Sequence, residues 1–238
     1  MSIRVVTYNI HSGVGIDGQQ SYKRIGEFLA AREVDVVLLQ EMDTRPAERD
    51  GDQDIEDLCA GHFSQLVSSP AVASEHGWYG NAVMSRFPIS FNQTIDVTHE
   101  GRQPRNIQEA IVQTPSGPLH LLNAHKGLKR IERSAQFEKL SSHLKRLEMG
   151  QAAPLLVGGD FNEWQIFSKL LRRVNRLLTP HPVGATFPTR CPIFGLDRLW
   201  SGPGMTVHSA RVLKTPETRV FSDHYPIEAD ITIASRAA

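Results

Sequence analysis

The sequence has little cysteine and no excess of charge of either sign. Cys59 and Cys191 are the only cysteines among 238 residues, and they lie far apart in unlike contexts. Neither a disulfide framework nor a clustered zinc site is therefore predicted. Twenty-six basic residues balance twenty-six acidic residues, which excludes binding of nucleic acid through bulk positive charge. Any site for a polyanion must be local.

The chain also lacks long apolar runs. No stretch approaches the ~18 apolar residues of a membrane-spanning helix, and Met1 to Ile10 shows strand alternation instead of the regions of a signal peptide. Together with the scarce cysteines, this predicts a cytoplasmic protein without stable membrane insertion. We expect one domain over residues 1–238, a length that a strand-rich domain can reach. The oligomeric state is not indicated.

The most informative stretch is Leu155 to Trp164, where an apolar run stops at two glycines and a carboxylate and a carboxamide follow. The apolar residues predict a buried strand, and Gly158 and Gly159 allow a turn or a close neighbour. Asp160 and Asn162 share one side if the extended chain continues. Such a pair suits a metal-bound phosphate and its attacking water. Asp and Asn that only cap a turn would give the same pattern.

Further polar side chains lie at or just past the ends of other predicted strands. Strands are predicted over Ile3 to His11, Val34 to Glu41, Leu119 to His125 and Gly195 to Trp200, and a closing strand over Ile227 to Ile233. Since a continuous apolar run is buried on both faces, its first polar group lies at the sheet edge, where a ligand can reach it. These ends supply Asn9, Glu41, His125, Asp197, Asp223 and His224. Any one alone could be an ordinary loop residue.

The remaining segments supply the outer elements. Helices are predicted over Ser21 to Arg32, Glu132 to Glu148 and Gln165 to Leu178, and a brief one with an acidic start over Ile55 to Cys59. Phe63 to Val67 is predicted as a short strand. The only compact basic cluster near a suspected site is Lys126, Lys129 and Arg130.

The candidate set is rich in oxygen ligands. Two histidines, four carboxylates and two carboxamides suit Mg²⁺ or Mn²⁺ better than zinc. The sequence has no His-Glu-x-x-His helix and no phosphate-binding Gly-x-x-x-x-Gly-Lys-Ser/Thr loop.

In their order along the chain, these motifs resemble those of the endonuclease/exonuclease/phosphatase superfamily, the fold of DNase I. Each piece is weakly specific alone, but the ordered set spans essentially the whole chain. The matching segments are Thr7-Tyr8-Asn9-Ile10, Leu39-Gln40-Glu41, Gly80 to Ile89, Asn123-Ala124-His125, Gly159-Asp160-Phe161-Asn162, Leu196-Asp197-Arg198-Leu199 and Ser222-Asp223-His224-Tyr225-Pro226.

The resemblance implies an α+β fold, a four-layer α/β/β/α sandwich of two mostly antiparallel sheets with helices on the outer faces. It implies a phosphoester hydrolase, a phosphodiesterase or nuclease, that depends on Mg²⁺ or Mn²⁺. It also implies residue roles. Glu41, helped by Asn9, holds the metal; Asp223 supports the metal or the histidine; Asp160 and Asn162 position water and phosphate; Asp197 orients the general base His224; His125 donates to a phosphate oxygen; and Arg105 neutralises the phosphate.

Departures from the family pattern bear on the substrate. His11 stands where repair enzymes tend to carry aspartate, and Glu163-Trp164 differs from the tail of abasic-site enzymes, which disfavours abasic-site repair. Nucleic acid and smaller phosphoesters such as phospholipid headgroups stay open. With Arg105 and the basic cluster as the only nearby cations, we expect a pocket for one or two phosphates.

An alternative of another class is a member that has lost catalysis and binds a partner through the same face. The complete polar set favours the enzyme, because buried ionisable groups destabilise a fold unless a metal or partner compensates them.

Overall fold

The computed structural model describes residues 1–45, 50–149, 153–165 and 167–234, which contain twelve strands and five α-helices. The predicted domain end at residue 238 lies outside them. The strands are β1 (Ile3–Asn9), β2 (Val36–Asp43), β3 (Gln65–Ser74), β4 (Gly77–Ser85), β5 (Ile89–Asp96), β6 (Asn106–Thr114), β7 (Gly117–His125), β8 (Leu155–Asp160), β9 (Thr179–Pro180), β10 (Asp197–Ser201), β11 (Met205–Val212) and β12 (Ile227–Ile233). The helices are α1 (Tyr22–Ala31), α2 (Gly51–Cys59), α3 (Arg130–Met149), α4 (Lys169–Val174) and α5 (Thr218–Phe221).

The strands form two six-stranded sheets. Sheet I has the order β11-β12-β1-β2-β4-β3, and sheet II has the order β5-β6-β7-β8-β10-β9. Only two neighbouring pairs among these strands are parallel, β1 with β2 and β7 with β8, and each lies in the middle of its sheet. The predicted pair of mostly antiparallel sheets is confirmed.

Alternation along the strands builds three apolar layers, because successive side chains of a strand point to opposite faces. Val5 of β1 packs between the sheets with Leu121 and Leu156 of sheet II. Val6, the next residue, packs on the outer side of sheet I against Ile25 of α1. The outer side of sheet II packs against α3 and α4 through residues that include Phe137, Leu140, Leu171 and Val174. The predicted four-layer sandwich follows from these three interfaces.

Several predicted elements have different bounds in the structure. The strand predicted over Phe63 to Val67 is longer in the structure, where β3 runs from Gln65 to Ser74 and includes Pro70. β3 is an edge strand, and its register with β4 shifts between Pro70 and Val72. A proline is tolerated at such a place.

The helix predicted over Gln165 to Leu178 is wrong in extent, since α4 covers only Lys169–Val174; Ile166 lies outside the described residues. The Ser168 hydroxyl accepts from the backbone N–H groups of Leu170 and Leu171 and thereby starts the helix late. The helix predicted over Ile55 to Cys59 begins earlier, at Gly51, while its predicted acidic start is confirmed, with Asp50 as its cap. None of the described helices is long and apolar enough to cross a membrane.

Gly159 allows β7 and β8 to approach closely just before Asp160. Its φ is 137°, and a Cβ atom at this position would lie 2.0 Å from the carbonyl oxygen of Ala124. Gly158 is less constrained, because a Cβ there would lie 3.4 Å from Leu199 Cδ1 and Thr7 Cβ. The second glycine of the motif is therefore required by geometry.

We predict that Gly159→Ala lowers the free energy of unfolding by about 3 kcal/mol or more, because it combines a strained φ with a backbone clash. Gly158→Ala is the matched control, and we expect a loss of less than about 1.5 kcal/mol. Denaturant unfolding followed by circular dichroism measures both. Equal losses for the two variants would contradict the assignment of the close approach to Gly159.

Candidate active site

The carboxyl ends of the central strands of both sheets meet at Asn9, which ends β1. Its Nδ2 donates to Oε1 of Glu41 at 2.9 Å and to Oδ2 of Asp160 at 3.1 Å. Its Oδ1 accepts from the backbone N–H of His11 at 3.1 Å. In this orientation the amide nitrogen, and not the oxygen, faces the two carboxylates. Asn9 thus holds a carboxylate of sheet I against one of sheet II.

Glu41 adopts a strained backbone conformation inside β2. Its φ is 59°, and the register of β2 with β4 shifts between Leu39 and Met42. A non-glycine residue in the left-handed region costs about 1–3 kcal/mol and is commonly retained at functional sites. The Glu41 side chain keeps 22% of its exposure, whereas that of Asp160 keeps 2%. Glu41 is therefore the solvent-facing carboxylate of this pair.

We call Glu41, His125 and Asp160 the first cluster. Nε2 of His125 lies 3.6 Å from Oε1 of Glu41 and 3.8 Å from Oδ2 of Asp160. Potential ligand atoms of all three residues lie within 4.8 Å of one another. Because β7 pairs with β8 so that His125 lies beside Asp160, sheet II itself sets the spacing of these two residues.

We call Asp160, Asp197 and His224 the second cluster, which shares Asp160 with the first. Nδ1 of His224 lies 2.8 Å from Oδ2 of Asp197, and Nε2 lies 3.8 Å from Oδ2 of Asp160. Ser222 anchors the histidine loop, since its Oγ donates to the Asn9 carbonyl at 2.8 Å and accepts from the His224 N–H at 3.1 Å. The second cluster is thus tied to the end of β1.

Burial and mutual charge shift the pKa values of the second cluster. Burial raises the pKa of Asp160, with further repulsion from Asp197 and Glu41 and partial relief from His224, to about 7. Burial alone would lower the pKa of His224, but the carboxylates of Asp197 and Asp160 outweigh it and raise that pKa to about 10. At neutral pH the imidazolium form of His224 balances part of the carboxylate charge.

His125 has the opposite character. Burial, with the positive charges of Arg105 and His224, holds the pKa of His125 well below 6.5, so the ring is neutral at physiological pH. Arg105 is buried, and its Nη atoms donate to Pro104 O and Gln103 Oε1 at 3.1 Å each. Among the described residues, Arg105 Nε has no hydrogen-bond partner.

Asn162 adopts φ 48° just after β8. Its backbone N–H donates to Oδ1 of Asp160 at 2.9 Å, and its Nδ2 donates to the Lys126 carbonyl at 3.0 Å and to Oδ2 of Asp160 at 3.2 Å. Asn162 and Asp160 therefore act as one unit, although the chain turns between them.

Lys126 does not extend the basic surface that the sequence predicted. Its side chain is fully buried, Nζ donates to the Gln136 carbonyl at 3.0 Å, and burial lowers its pKa to about 7. Nζ also lies 5.1 Å from the centre of the Phe137 ring and 5.8 Å from that of Phe161. The Lys126 side chain, which we expected at the site, is therefore buried in the core instead.

The structure brings seven of the predicted residues into the two clusters or into direct contact with them: Asn9, Glu41, His125, Asp160, Asn162, Asp197 and His224. Arg105 lies close enough to influence His125. Asp223 is half-buried beside Ser222, outside both clusters, and raises the pKa of His224 as a lesser cause. Sequence reasoning gave no role to Ser222, although a matching segment contains it, or to Phe187, whose ring centre lies 4.8 Å from that of His224. No periodic pattern marks either.

The first cluster fits a divalent cation by its donor chemistry. Two carboxylates and a neutral imidazole face one another, and the raised pKa of Asp160 reports negative charge that burial leaves poorly compensated. Carboxylate oxygens are preferred ligands of Mg²⁺ and Mn²⁺. Glu41 and Asp160 would hold such an ion.

The four-layer sandwich, with its polar site at the strand ends, defines the fold class found in metal-dependent phosphoester hydrolases. The sequence model of the Endonuclease/Exonuclease/phosphatase family matches residues 6–224. The chain belongs to this family, whose members hydrolyse phosphoester bonds.

Relatives share the fold over nearly the full chain. The uncharacterized protein YbhP of Escherichia coli K12 is 28% identical over 247 aligned positions, covering 97% of this chain and 96% of that protein. A mannosyl-6-phosphatase of Bacteroides thetaiotaomicron superposes with a TM-score of 0.76 at 16% identity, covering 97% of this chain and 100% of that chain. D. rerio TDP2, complexed with a single-strand DNA product, gives 0.71 at 17% identity, covering 97% and 99%. These two likenesses establish the fold alone.

We predict that Asp160→Asn lowers the pKa of His224 from about 10 towards 6.5, because it removes one of the carboxylates that stabilise the imidazolium. Side-chain NMR titration of His224 in the metal-free protein measures the change. Asp230→Asn is the control, since Asp230 pairs with Arg4. An Asp160→Asn titration that coincides with that of the control would contradict the proposed coupling.

Proposed function

We propose that the protein is a phosphodiesterase that depends on Mg²⁺ or Mn²⁺ and hydrolyses its substrate with an activated water. One observation carries the proposal: the buried Asp160 carboxylate is shared by a cluster suited to a cation and a cluster with a His–Asp pair. This juxtaposition supplies cation binding and proton transfer on adjacent sides of one carboxylate. Both are required for metal-assisted attack on a phosphoester.

In this proposal Glu41 is the principal metal ligand and Asp160 the second, while Asn9 sets their separation through its two hydrogen bonds. When bound, the cation supplies Lewis acidity at a phosphate oxygen. Removing the charge of Glu41 would therefore weaken cation binding more than it destabilises the fold.

The side chains of the second cluster handle the proton. Asp197 fixes Nδ1 of His224, which leaves Nε2 directed to Asp160. Asp160 and Asn162 position the water and the phosphate, and His224 Nε2 accepts the proton from that water. With its charge offset by a bound cation, Asp160 would raise the pKa of His224 less. A larger fraction of the imidazole would then be neutral and able to accept the proton of the water. Asp223 supports His224 by its charge.

His125 and Arg105 hold the phosphate in this proposal. Neutral His125 can donate one N–H to a non-bridging oxygen, and the Arg105 guanidinium, with its unpartnered Nε among the described residues, can offset the phosphate charge. The burial of Lys126 removes one of the few cations near the site. This supports a pocket for one or two phosphates more than a groove for a long duplex. The cytoplasmic location stays a prediction.

We predict that hydrolysis of bis-p-nitrophenyl phosphate requires a divalent cation and that Glu41→Gln abolishes it with little change in unfolding free energy. The substitution keeps the shape of the side chain and removes the charge that the ion needs. Initial rates across a Mg²⁺ titration, with and without EDTA, measure the effect.

His224→Ala is the companion variant. We expect kcat to fall by roughly 10²–10⁴, the usual range for a general base, while the Mg²⁺ concentration for half-maximal rate stays near that of the parent, because His224 does not hold the ion. Full activity in excess EDTA would contradict the predicted requirement for a divalent cation. No activity on any phosphoester in a folded, Mg²⁺-saturated protein would favour a catalytically inactive binding member.

A further inference from the structure

Large apolar side chains are exposed on segments that adjoin the candidate active site. Of the seven such residues in the described part of the chain, two lie elsewhere, Met1 and Phe91. The other five follow catalytic strand ends or lead into one, with exposures of 59%, 60%, 37%, 89% and 64%: Leu128, Ile131, Trp164, Phe167 and Ile193. We call these five residues the apolar rim.

Contacts between these segments connect Trp164, Leu128 and the residue next to Ile193 to the surroundings of His224. The Trp164 ring centre lies 4.7 Å from that of Phe194, the neighbour of Ile193, and 5.8 Å from that of Phe187. Phe187 in turn packs on His224. On the other side, Arg133 donates to the Leu128 carbonyl and its Nε lies 3.5 Å from Glu163, the neighbour of Trp164. These three segments therefore lie together at one opening of the candidate site, which we call the active-site mouth.

The exposed charges between the rim residues are all positive. The two acidic residues of segments 126–133, 163–173 and 187–194 are Glu132 and Glu163, and both are buried. Glu132 lies 3.3 Å from Arg102, and Glu163 pairs with Arg133. Six of the eight cations on the same segments are exposed, namely Lys129, Arg130, Lys169, Arg172, Arg173 and Arg190, whereas Lys126 and Arg133 are buried. Apolar side chains among exposed cations complement a surface that has an apolar interior and anionic groups outside.

We propose that the apolar rim docks the active-site mouth onto an anionic lipid surface. Exposed apolar side chains gain free energy in the interfacial region of a bilayer, and nearby Lys and Arg side chains are attracted to anionic headgroups. Three of the five rim residues are aliphatic, Leu128, Ile131 and Ile193. Such side chains match hydrocarbon, whereas nucleic-acid interfaces are polar and rely on stacking rings and phosphate contacts. The observations therefore favour a lipid over a nucleic acid.

Docking would present headgroup phosphoesters directly to the two clusters, so the substrate consequence rests on the proposed function. The docking itself does not, since it needs no turnover. Binding is therefore measured in EDTA, and hydrolysis of soluble bis-p-nitrophenyl phosphate is measured separately in Mg²⁺. If vesicle binding is absent, the hydrolysis measurement can still be interpreted, and the reverse also holds.

The test is flotation of the full chain with vesicles of equal parts phosphatidylcholine and phosphatidylglycerol. We expect binding that is much weaker on phosphatidylcholine alone. The double variant Ile131→Ser/Phe167→Ser should lose affinity by at least about tenfold, since two exposed apolar groups no longer enter the interface. Phe91→Ser, which removes an exposed ring on β5, is the matched control and should change affinity by less than about twofold.

A second measurement locates the contact. Lipids brominated on the acyl chains should quench the fluorescence of Trp164, and Trp164→Phe should remove that quenching while the Trp78 and Trp200 signals remain. Absence of binding to the anionic vesicles, or a double variant that binds as the parent does, would overturn the proposal. Binding of a DNA oligonucleotide that the double variant loses, without vesicle binding, would replace it with a nucleic-acid interface.

Discussion

The buried carboxylate of Asp160 is the constraint on which the rest of the site depends. Its Oδ2 accepts hydrogen bonds from Asn9 and Asn162 at 3.1 and 3.2 Å and lies 3.8 Å from a ring nitrogen of both His125 and His224. Since an uncompensated buried charge is costly, the donors and the positive charge around Asp160 have to offset its burial and the repulsion from Glu41 and Asp197. The strain at Glu41 and the close approach at Gly159 bring those neighbours within reach.

A buried carboxamide network beneath the site keeps the two sheets in register. Gln40 Nε2 donates to Asn123 Oδ1 at 2.7 Å, and Asn123 Nδ2 donates to the Leu39 carbonyl at 2.8 Å. Asn81 Nδ2 donates to Asn106 Oδ1 at 2.8 Å. Because hydrogen bonds have narrow geometry, such a network fixes the relative position of β2 and β7 more strictly than apolar packing does. Glu41 directly follows Gln40, and His125 lies two residues after Asn123. The network therefore also fixes the positions of Glu41 and His125.

Much of the fold and the positions of the site residues follow from the sequence, because strand alternation and polar strand ends are local patterns. Alternation predicts the layers, and the polar ends predict that Asn9, Glu41, His125 and Asp160 meet. Long-range packing decides what could not be predicted. Lys126 turns inward because the carbonyl of Gln136, in a helix that follows it, accepts a hydrogen bond from its Nζ. The helix after Phe167 starts late because Ser168 caps it, and Ser222 gains its role only through the Asn9 carbonyl.

The central claim is that Glu41 and Asp160 form a divalent-cation site next to the His224–Asp197 pair. Binding of Mn²⁺, followed by electron paramagnetic resonance during titration of the metal-free protein, tests it without any substrate. The account predicts saturable binding that Glu41→Gln weakens by at least about tenfold, whereas Asp223→Asn, outside both clusters, changes it little. Undetectable Mn²⁺ binding, or equal affinity in the parent and Glu41→Gln, would contradict the account.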